Sequence, residues 1–426
     1  MALPKYKADA TQERLSHVSR PVGGFSEVAR RDALSRVENL GLPTRRDEYW
    51  KYTRPESLVE AEVPPAALFV SDEAPVFSDL ECLKIVFVDG VFDADASDHL
   101  DLEGIEVHRL ADGPDLLWAR DIYGVLETRG QTPVARPLAS LNTACATDGV
   151  LIRVTQTPRK PISLIYRHVS EISDAMLHHC IKVEPQASVT ILETGTASAR
   201  LNVCMEVEVA ANAQCNHVRM QGRDHERRTV SHIFARLCEA STFKTFTLTA
   251  NGALTRNEVV VELTGDNGVA HVAGACLGDG AFHHDDTVFI THDAENCESR
   301  QVFKKVLRNG AVGVFQGKIL VKAGAQKTDG YQISQSLLLD DDSQFLAKPE
   351  LEIYADDVIC SHGSTSGAID ETALFYLRAR GIDRGTATDL MTIAFVAEAV
   401  AEVEDVALQD EITDLVDNWL MRRREP

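Results

Sequence analysis

The 426 residues predict a mainly β protein, with a mixed α/β segment ahead of the β region and a helical segment behind it. Two observations carry this. Residues 150–360 form a succession of short β-branched or alternating runs broken by Gly, Asn and Asp, a pattern of strands and tight turns. Beyond residue 360 the apolar residues switch to helical spacing.

Taken in order, Phe25, Val28, Ala29, Val37 and Leu40 recur at helical spacing, and Gly41 supplies the stop before Leu42 and Pro43. The run 85–88 closes on Asp89-Gly90, a strand and its turn. Prolines at 133 and 137 mark a boundary. Strands are expected at 162–166, 189–192, 203–209, 245–249, 259–263, 288–291 and 319–321, none of them long. Six glycines between Asn251 and Gly280 suit turns between strands better than any helix. Sandwich, barrel and solenoid all remain open, because no strict repeat emerges and irregular coil lengths would hide one.

In the tail, Leu374 and Leu377 precede a stop at Gly381, with Arg378 and Arg380 placed to complement the helix dipole. A second helix is expected from about Thr388, with Leu390, Ile393, Ala394, Ala397 and Val400 on one face. A third carries Leu408, Ile412, Leu415, Val416 and Trp419. This module either caps the β core or docks another chain. The expected units are 1–149 (mixed α/β), 150–359 (β core) and 360–426 (helical).

With 44% hydrophobic and 25% charged residues the composition is that of an ordinary globular protein, and no stretch approaches the roughly 18 apolar residues of a membrane span. Lys5, Lys7 and Asp9 stand where a secretory signal would carry an apolar run, so the expected location is cytoplasmic. A formal charge of −22 disfavours nucleic acid and points to protein partners. Nine cysteines without a C-x-x-C pair argue for free thiols, and Cys145, Cys180, Cys204, Cys215 and Cys238 are read as core packing.

Enzyme templates fit poorly. Residues 313–319 (GVFQGKI) have one residue too few between the glycines for a phosphate loop, and Ile where a Mg²⁺-binding hydroxyl belongs. There is no G-x-S-x-G elbow and no H-E-x-x-H, so no ATP is expected to bind this chain. His283, His284, Asp285 and Asp286 are metal-type residues. On a strand only His283 with Asp285, or His284 with Asp286, can converge, and a solvated turn or strand end is the plainer reading. Of the pair His178-His179, one is expected inward and the other toward water. Cys360 and His362 are more suggestive: C-x-H on an extended segment puts thiol and imidazole on one face, about 7 Å apart. Both suit iron, yet a cluster commonly takes four ligands, so a complete site would need other residues or a second subunit.

Three stretches resemble the SufB/SufD family: 351–363 (LEIYADDVICSHG) with 374–382 (LFYLRARGI), 324–330 (GAQKTDG) with 337–339, and 41–53 (GLPTRRDEYWKYT). They span most of the chain. In SufB the stretch matching Gln335-Ser336 normally carries a Cys and an acidic residue follows the C-x-H; here Gly363 follows His362, as in SufD. The resemblance implies a right-handed parallel β-helix core and a role in iron–sulfur cluster assembly. It further implies pairing with a SufB-like subunit and docking of a SufC-like ATPase by the helical domain. On that footing His362, with Cys360 as its companion, would ligate a transient iron–sulfur cluster shared with SufB. The docking surface would comprise Glu371, Leu374, Phe375, Tyr376, Leu377, Arg378 and Arg380. Three alternatives remain: a SufB-like subunit nucleating the cluster itself, a β-helix carbohydrate-active enzyme using Asp285, Asp286 or neighbouring carboxylates, and a homodimer of the isolated chain.

Overall fold

The structure, a computed structural model, describes residues 3–69, 75–113, 115–195, 198–222 and 225–422. Helices α1 (Lys5–Ser16) and α2 (Glu27–Leu40) open the chain, and Gly41, at φ 65°, ends α2 in a conformation that suits glycine. A short 3₁₀ turn, Glu48–Trp50, and α3 (Glu56–Val59) follow. Strands β1 (Leu83–Val88) and β2 (Val91–Phe92) form the hairpin expected at Asp89-Gly90, whose two residues both have positive φ. Then come β3 (Ile105–Arg109), α4 (Leu117–Arg120), α5 (Val125–Arg129) and α6 (Pro137–Cys145).

The remaining strands wind into a solenoid. It begins with β4 (Val150–Val154), β5 (Ile162–Arg167), β6 (Asp174–Val183), β7 (Ser188–Gly195), β8 (Arg200–Val209) and β9 (Gln214–Gln221). It continues through β10 (Arg228–Leu237), β11 (Thr242–Ala250), β12 (Leu254–Leu263), β13 (Val269–Asp279) and β14 (His283–His292). It finishes with β15 (Glu298–Arg308), β16 (Val312–Val321), β17 (Thr328–Leu338), β18 (Gln344–Ile353) and β19 (Val358–Gly367). Helices α7 (Glu371–Arg378), α8 (Arg384–Val400) and α9 (Val406–Met421) close the described chain.

From β4 onward the chain alternates between two sheets, even-numbered strands in one and odd-numbered in the other, all in parallel register. The fold is therefore a parallel β-solenoid. β1 adds to the odd sheet beside β5, and β3 adds antiparallel to β4. The coil length varies: Arg228 stands beside Leu254, whereas Val312 stands beside Gln344, a visibly longer circuit of the chain. A drifting period of this kind defeats a search for a strict repeat. One landmark recurs from coil to coil. Gln186, Asn212, Ala240, Asn267, Asn296 and Lys327 each adopt positive φ at the same turn, and the N–H of each donates to a carbonyl of the next coil. Asn tolerates that conformation best among non-glycine residues, and it fills three of these six places.

Two helical layers cover the sheets. Leu138, Leu141 and Tyr123 of the N-terminal part pack on Met176, Cys180, Cys204, Val230 and Phe234 of the even sheet. Val396, Ala399, Ile412 and Trp419 of the tail pack on Val218, Phe246, Ala273 and Val302 of the odd sheet. The tail thus covers a side of the solenoid, not its end. Strands buried on both faces lose the in-out alternation of a half-exposed strand, and most prove longer than the runs that predict them.

Several expectations are corrected. His178 and His179 are both fully buried: His179 points inward, where Tyr166 bonds its Nε2 at 3.0 Å, and His178 points outward but lies under Tyr123, ring centroids 4.2 Å apart. His179 is enclosed by the solenoid interior, and His178 is kept from water by the N-terminal helices that cover this sheet. Helix α8 starts at Arg384, capped by Asp383, and buries Ala387, Thr392, Val396 and Ala399; of the expected stripe Val400 is buried and Ile393 packs half-buried against the sheet. Leu390 is 47% exposed, and Ala394 and Ala397 also face solvent, because the small residues of the other face permit close approach to the sheet. Cys238 is only half-buried; Cys145, Cys180, Cys204 and Cys215 are core residues as expected. The expected boundary at 359/360 falls within β19, whose pairing with β17 continues to Gly367.

Candidate cluster-ligand site and docking face

Cys360 and His362 lie on β19, in the last coil. Among the described residues β18 and β19 are both edge strands, each paired on one side only, which leaves rows of backbone donors and acceptors without a ladder partner. No position in either strand is fully buried. β18 carries Pro349, a residue that sheets confine to edges because it lacks an N–H.

In the register with β17, Cys360 stands opposite Gly330 and His362 opposite Gln332. Both therefore belong to the row that elsewhere fills the solenoid interior. Cys360 uses the space that Gly330 leaves: a Cβ there would stand 3.2 Å from its Sγ. The thiol packs beside Ile319, Val321, Ala325 and Ala355, and burial pushes its pKa up, holding it as a thiol in this setting. His362, two residues on, has no further coil above it and is exposed. Below it Gln332 is fully buried, its amide donating to Gln301 at 3.1 Å. Beyond it Ser364 and Ser366 continue the row, bonded to Ser334 and Ser336 at 3.0 and 2.9 Å. The last coil thus presents an imidazole on an open polar surface, with a packed thiol beside it.

On α7, Phe375 is 73% and Tyr376 57% exposed, with Arg380 stacked 3.3 Å over the Tyr376 ring. Leu377 is half-buried, and Arg378 and Glu371 are exposed. Leu374 differs from its neighbours: at 2% exposure it anchors the helix. With Leu390 of α8, Phe375 and Tyr376 put large apolar side chains on one helical module.

The four residues His283 to Asp286 are not a solvated turn; they begin β14, and all but half-buried His283 are buried. The alternation read from the sequence holds. On the outer face the Thr53 hydroxyl reaches His283 Nε2 at 3.0 Å and Asp285 Oδ2 at 2.5 Å, and Arg256 pairs with Asp285. On the inner face the Lys305 ammonium sits 2.8 Å from His284 Nδ1 and 2.6 Å from Asp286 Oδ2. A cation already fills that space, so the inner pair serves an ion pair instead of a metal. Asp285 and Asp286 point to opposite faces and share no cleft, which removes the carboxylate pair a glycosidase would need. The phosphate-loop-like run 313–319 lies within strand β16.

The outer pair explains the stretch 41–53. Besides Thr53, Glu48 bonds Lys348 at 2.8 Å, Tyr49 bonds Glu350, and Trp50 stacks under Arg256 at 4.1 Å. This segment pins the N-terminal layer across the even sheet as far as β18.

The fold and site define a class: a parallel β-solenoid clad by helices on its two sides, with ligand-type residues on an uncovered last coil rather than in a cleft. The family described as SUF system FeS cluster assembly, SufBD core domain, matches residues 166–395, and the chain belongs to the SufB/SufD family. It is similar to the iron–sulfur cluster assembly protein SufD of Escherichia coli, 28% identical over 394 residues and 89% of each chain. A SufBD family protein of Synechocystis is 25% identical over 408 residues, 91% of this chain and 89% of that one. SufD of Bacillus subtilis is 25% identical over 288 residues, 66% of each. Within the family the chain is most like SufD.

Proposed function

We propose that this chain is a non-catalytic scaffold subunit of SufD type, pairing with a SufB-like subunit through β18 and β19 and docking a SufC-like ATPase on α7 and α8. The carrying observation is that the last coil leaves one edge of both β18 and β19 unpaired and every position at least partly exposed, which in a parallel solenoid favours a surface awaiting cover. His362 serves as one ligand of an iron–sulfur cluster that is the complex's transient cargo, and Cys360 lies close enough to join once a partner displaces its packing. ATP is hydrolysed by the partner ATPase, and the complex works in the cytoplasm. Three units divide the labour: 1–149 buttresses the even sheet, 150–359 forms the solenoid up to the start of β19, and 360–426 carries the rest of β19 with its ligands and the docking helices.

The test is to express the tagged chain with its SufB-like and SufC-like partners and compare His362→Ala with the parent. The proposal expects unchanged copurification and a clear fall in cluster maturation in cells. Normal maturation would remove His362 from the mechanism, and failure to copurify either partner with the parent chain would remove the scaffold reading.

A further inference from the structure

A second group of metal-type residues lies far along the chain from the last coil, on the outer face of the even sheet. His178, Cys180 and Glu206 are fully buried there, and their donor atoms all lie within 4.8 Å of one another. Register produces the grouping. β6 and β8 pair with His178 opposite Cys204 and Cys180 opposite Glu206, so two thiols, an imidazole and a carboxylate make a square on neighbouring strands.

The imidazole is held as a metal-bound imidazole is held, with its other nitrogen fixed by a hydrogen bond. Nδ1 lies 2.9 Å from Asn142 Oδ1. The Asn142 amide nitrogen donates to the Leu177 and Asn202 carbonyls at 3.0 and 2.8 Å, so Oδ1 is the acceptor and His178 Nδ1 carries the hydrogen. Nε2 is then a lone pair, and it faces Glu206 Oε1 at 2.7 Å. A lone pair and a carboxyl oxygen meet at that distance only with a shared hydrogen or a metal ion between them. The N–H groups of Gly124 and Glu127 also donate to Glu206, but neither lies between it and His178. In the metal-free chain a hydrogen on Glu206 Oε1 fills this gap, donated to His178 Nε2.

We propose that a thiophilic divalent metal ion, zinc or ferrous iron, takes the place of this proton, bound by His178 Nε2, Glu206 Oε1 and the Cys180 thiolate, with Cys204 beside His178 in the strand register. Binding releases the Glu206 proton and one proton from each thiol that ligates. Thiolate, imidazole and carboxylate together match the preferences of these ions. Tetrahedral coordination sets the nitrogen and oxygen roughly 3.3 Å apart, so the pair opens only slightly from 2.7 Å. Tyr123 stacks on the imidazole at 4.2 Å, which closes the site and makes the ion one acquired during folding and retained afterwards. The site would tie β6 and β8 to the N-terminal layer, and it is independent of the scaffold reading.

The full chain is unfolded with a chelator and refolded with Zn²⁺, with Fe²⁺ under anaerobic conditions, or with Co²⁺ as a spectroscopic probe. The proposal expects about one ion per chain to survive gel filtration in EDTA, a thiolate-to-cobalt charge-transfer band, and the same retention in His362→Ala. His178→Gln and Cys180→Ala should refold by circular dichroism and lose the ion. Failure of the parent chain to retain any of the three metals overturns the proposal, as does loss of the ion from His362→Ala or full retention by Cys180→Ala. If Cys180→Ala does not refold, the cobalt spectrum of the His362→Ala chain decides: a thiolate band supports the site, and its absence overturns it.

Discussion

β8 and β19 are ten-residue strands of the same solenoid, yet every position of β8 is buried and none of β19 is. β8 has a neighbour on each edge, an opposing sheet on its inner face and the N-terminal helices on its outer face. β19 has one neighbour. The side chains follow: Ser361, His362, Ser364 and Ser366 of β19 are exposed, whereas even the Glu206 carboxyl of β8 is buried and answered by three partners. Parallel strands are ordinarily buried, so the contrast sets one coil finished within the chain against one with a free edge and an open face, as the proposed pairing with another chain requires.

The largest effect should come from the finished coils. Ile181→Ala removes a fully buried side chain from the solenoid interior and should cost about 2–5 kcal/mol in denaturant unfolding. Next, Thr53→Val deprives buried Asp285 of one of its hydroxyl donors and removes one of the anchors of the stretch 41–53 on the even sheet; a loss of about 1–3 kcal/mol is expected in the same measurement.

A third difference is visible through pH. His292, buried in β14 against Ser299, is pulled down to about 4 by burial. The unfolded chain therefore takes up a proton below the ordinary histidine value while the folded chain does not. Stability should fall as the pH drops from about 6.5 to 4, by up to about 1.4 kcal/mol per unit from this residue. Comparing the parent with His292→Gln at pH 7.5 and 5 checks this, since the substitution should flatten that part of the slope.

The smallest effects on stability belong to exposed positions. Ile359→Asp in β19, where the side chain is 75% exposed, and Phe375→Glu in α7 should each shift unfolding by less than about 0.5 kcal/mol. Their consequences should appear in assembly: loss of the SufB-like subunit for the first, and of the ATPase for the second, in copurification. A large loss of stability from Ile359→Asp would mean the last coil is held together internally and needs no partner.

The helix ending at Gly41, the hairpin at Asp89-Gly90, the strand-rich middle and the helical tail were legible because each rests on local chemistry. The solenoid was not legible from spacing, since its coils drift in length, as the pairs Arg228 with Leu254 and Val312 with Gln344 show. The positive-φ turn at Asn212, Asn267 and Asn296 was a signal available in the sequence, though Ala240 and Lys327 blur it. Periodicity misjudged α8 because Leu390 is the kind of residue a core takes, while the buried face uses Ala387, Thr392 and Ala399 to come close to the sheet. His178 was missed for a related reason: its burial depends on Tyr123 and Asn142, which belong to the N-terminal layer and not to its own strand. Spacing did put Cys360 and His362 in one row. Which of them meets solvent depends on the absence of a further coil, and no local pattern encodes that.

The most direct test is amide hydrogen exchange of the chain alone and in complex with its SufB-like partner, followed over residues 344–367. A last coil that awaits cover should exchange fast along the free edges of β18 and β19 in the isolated chain and become strongly protected in the complex, with no change in β8 or β10. Exchange in 344–367 that is equally slow without the partner, or unaltered by it, would contradict the claim that the last coil is left for another subunit to cover.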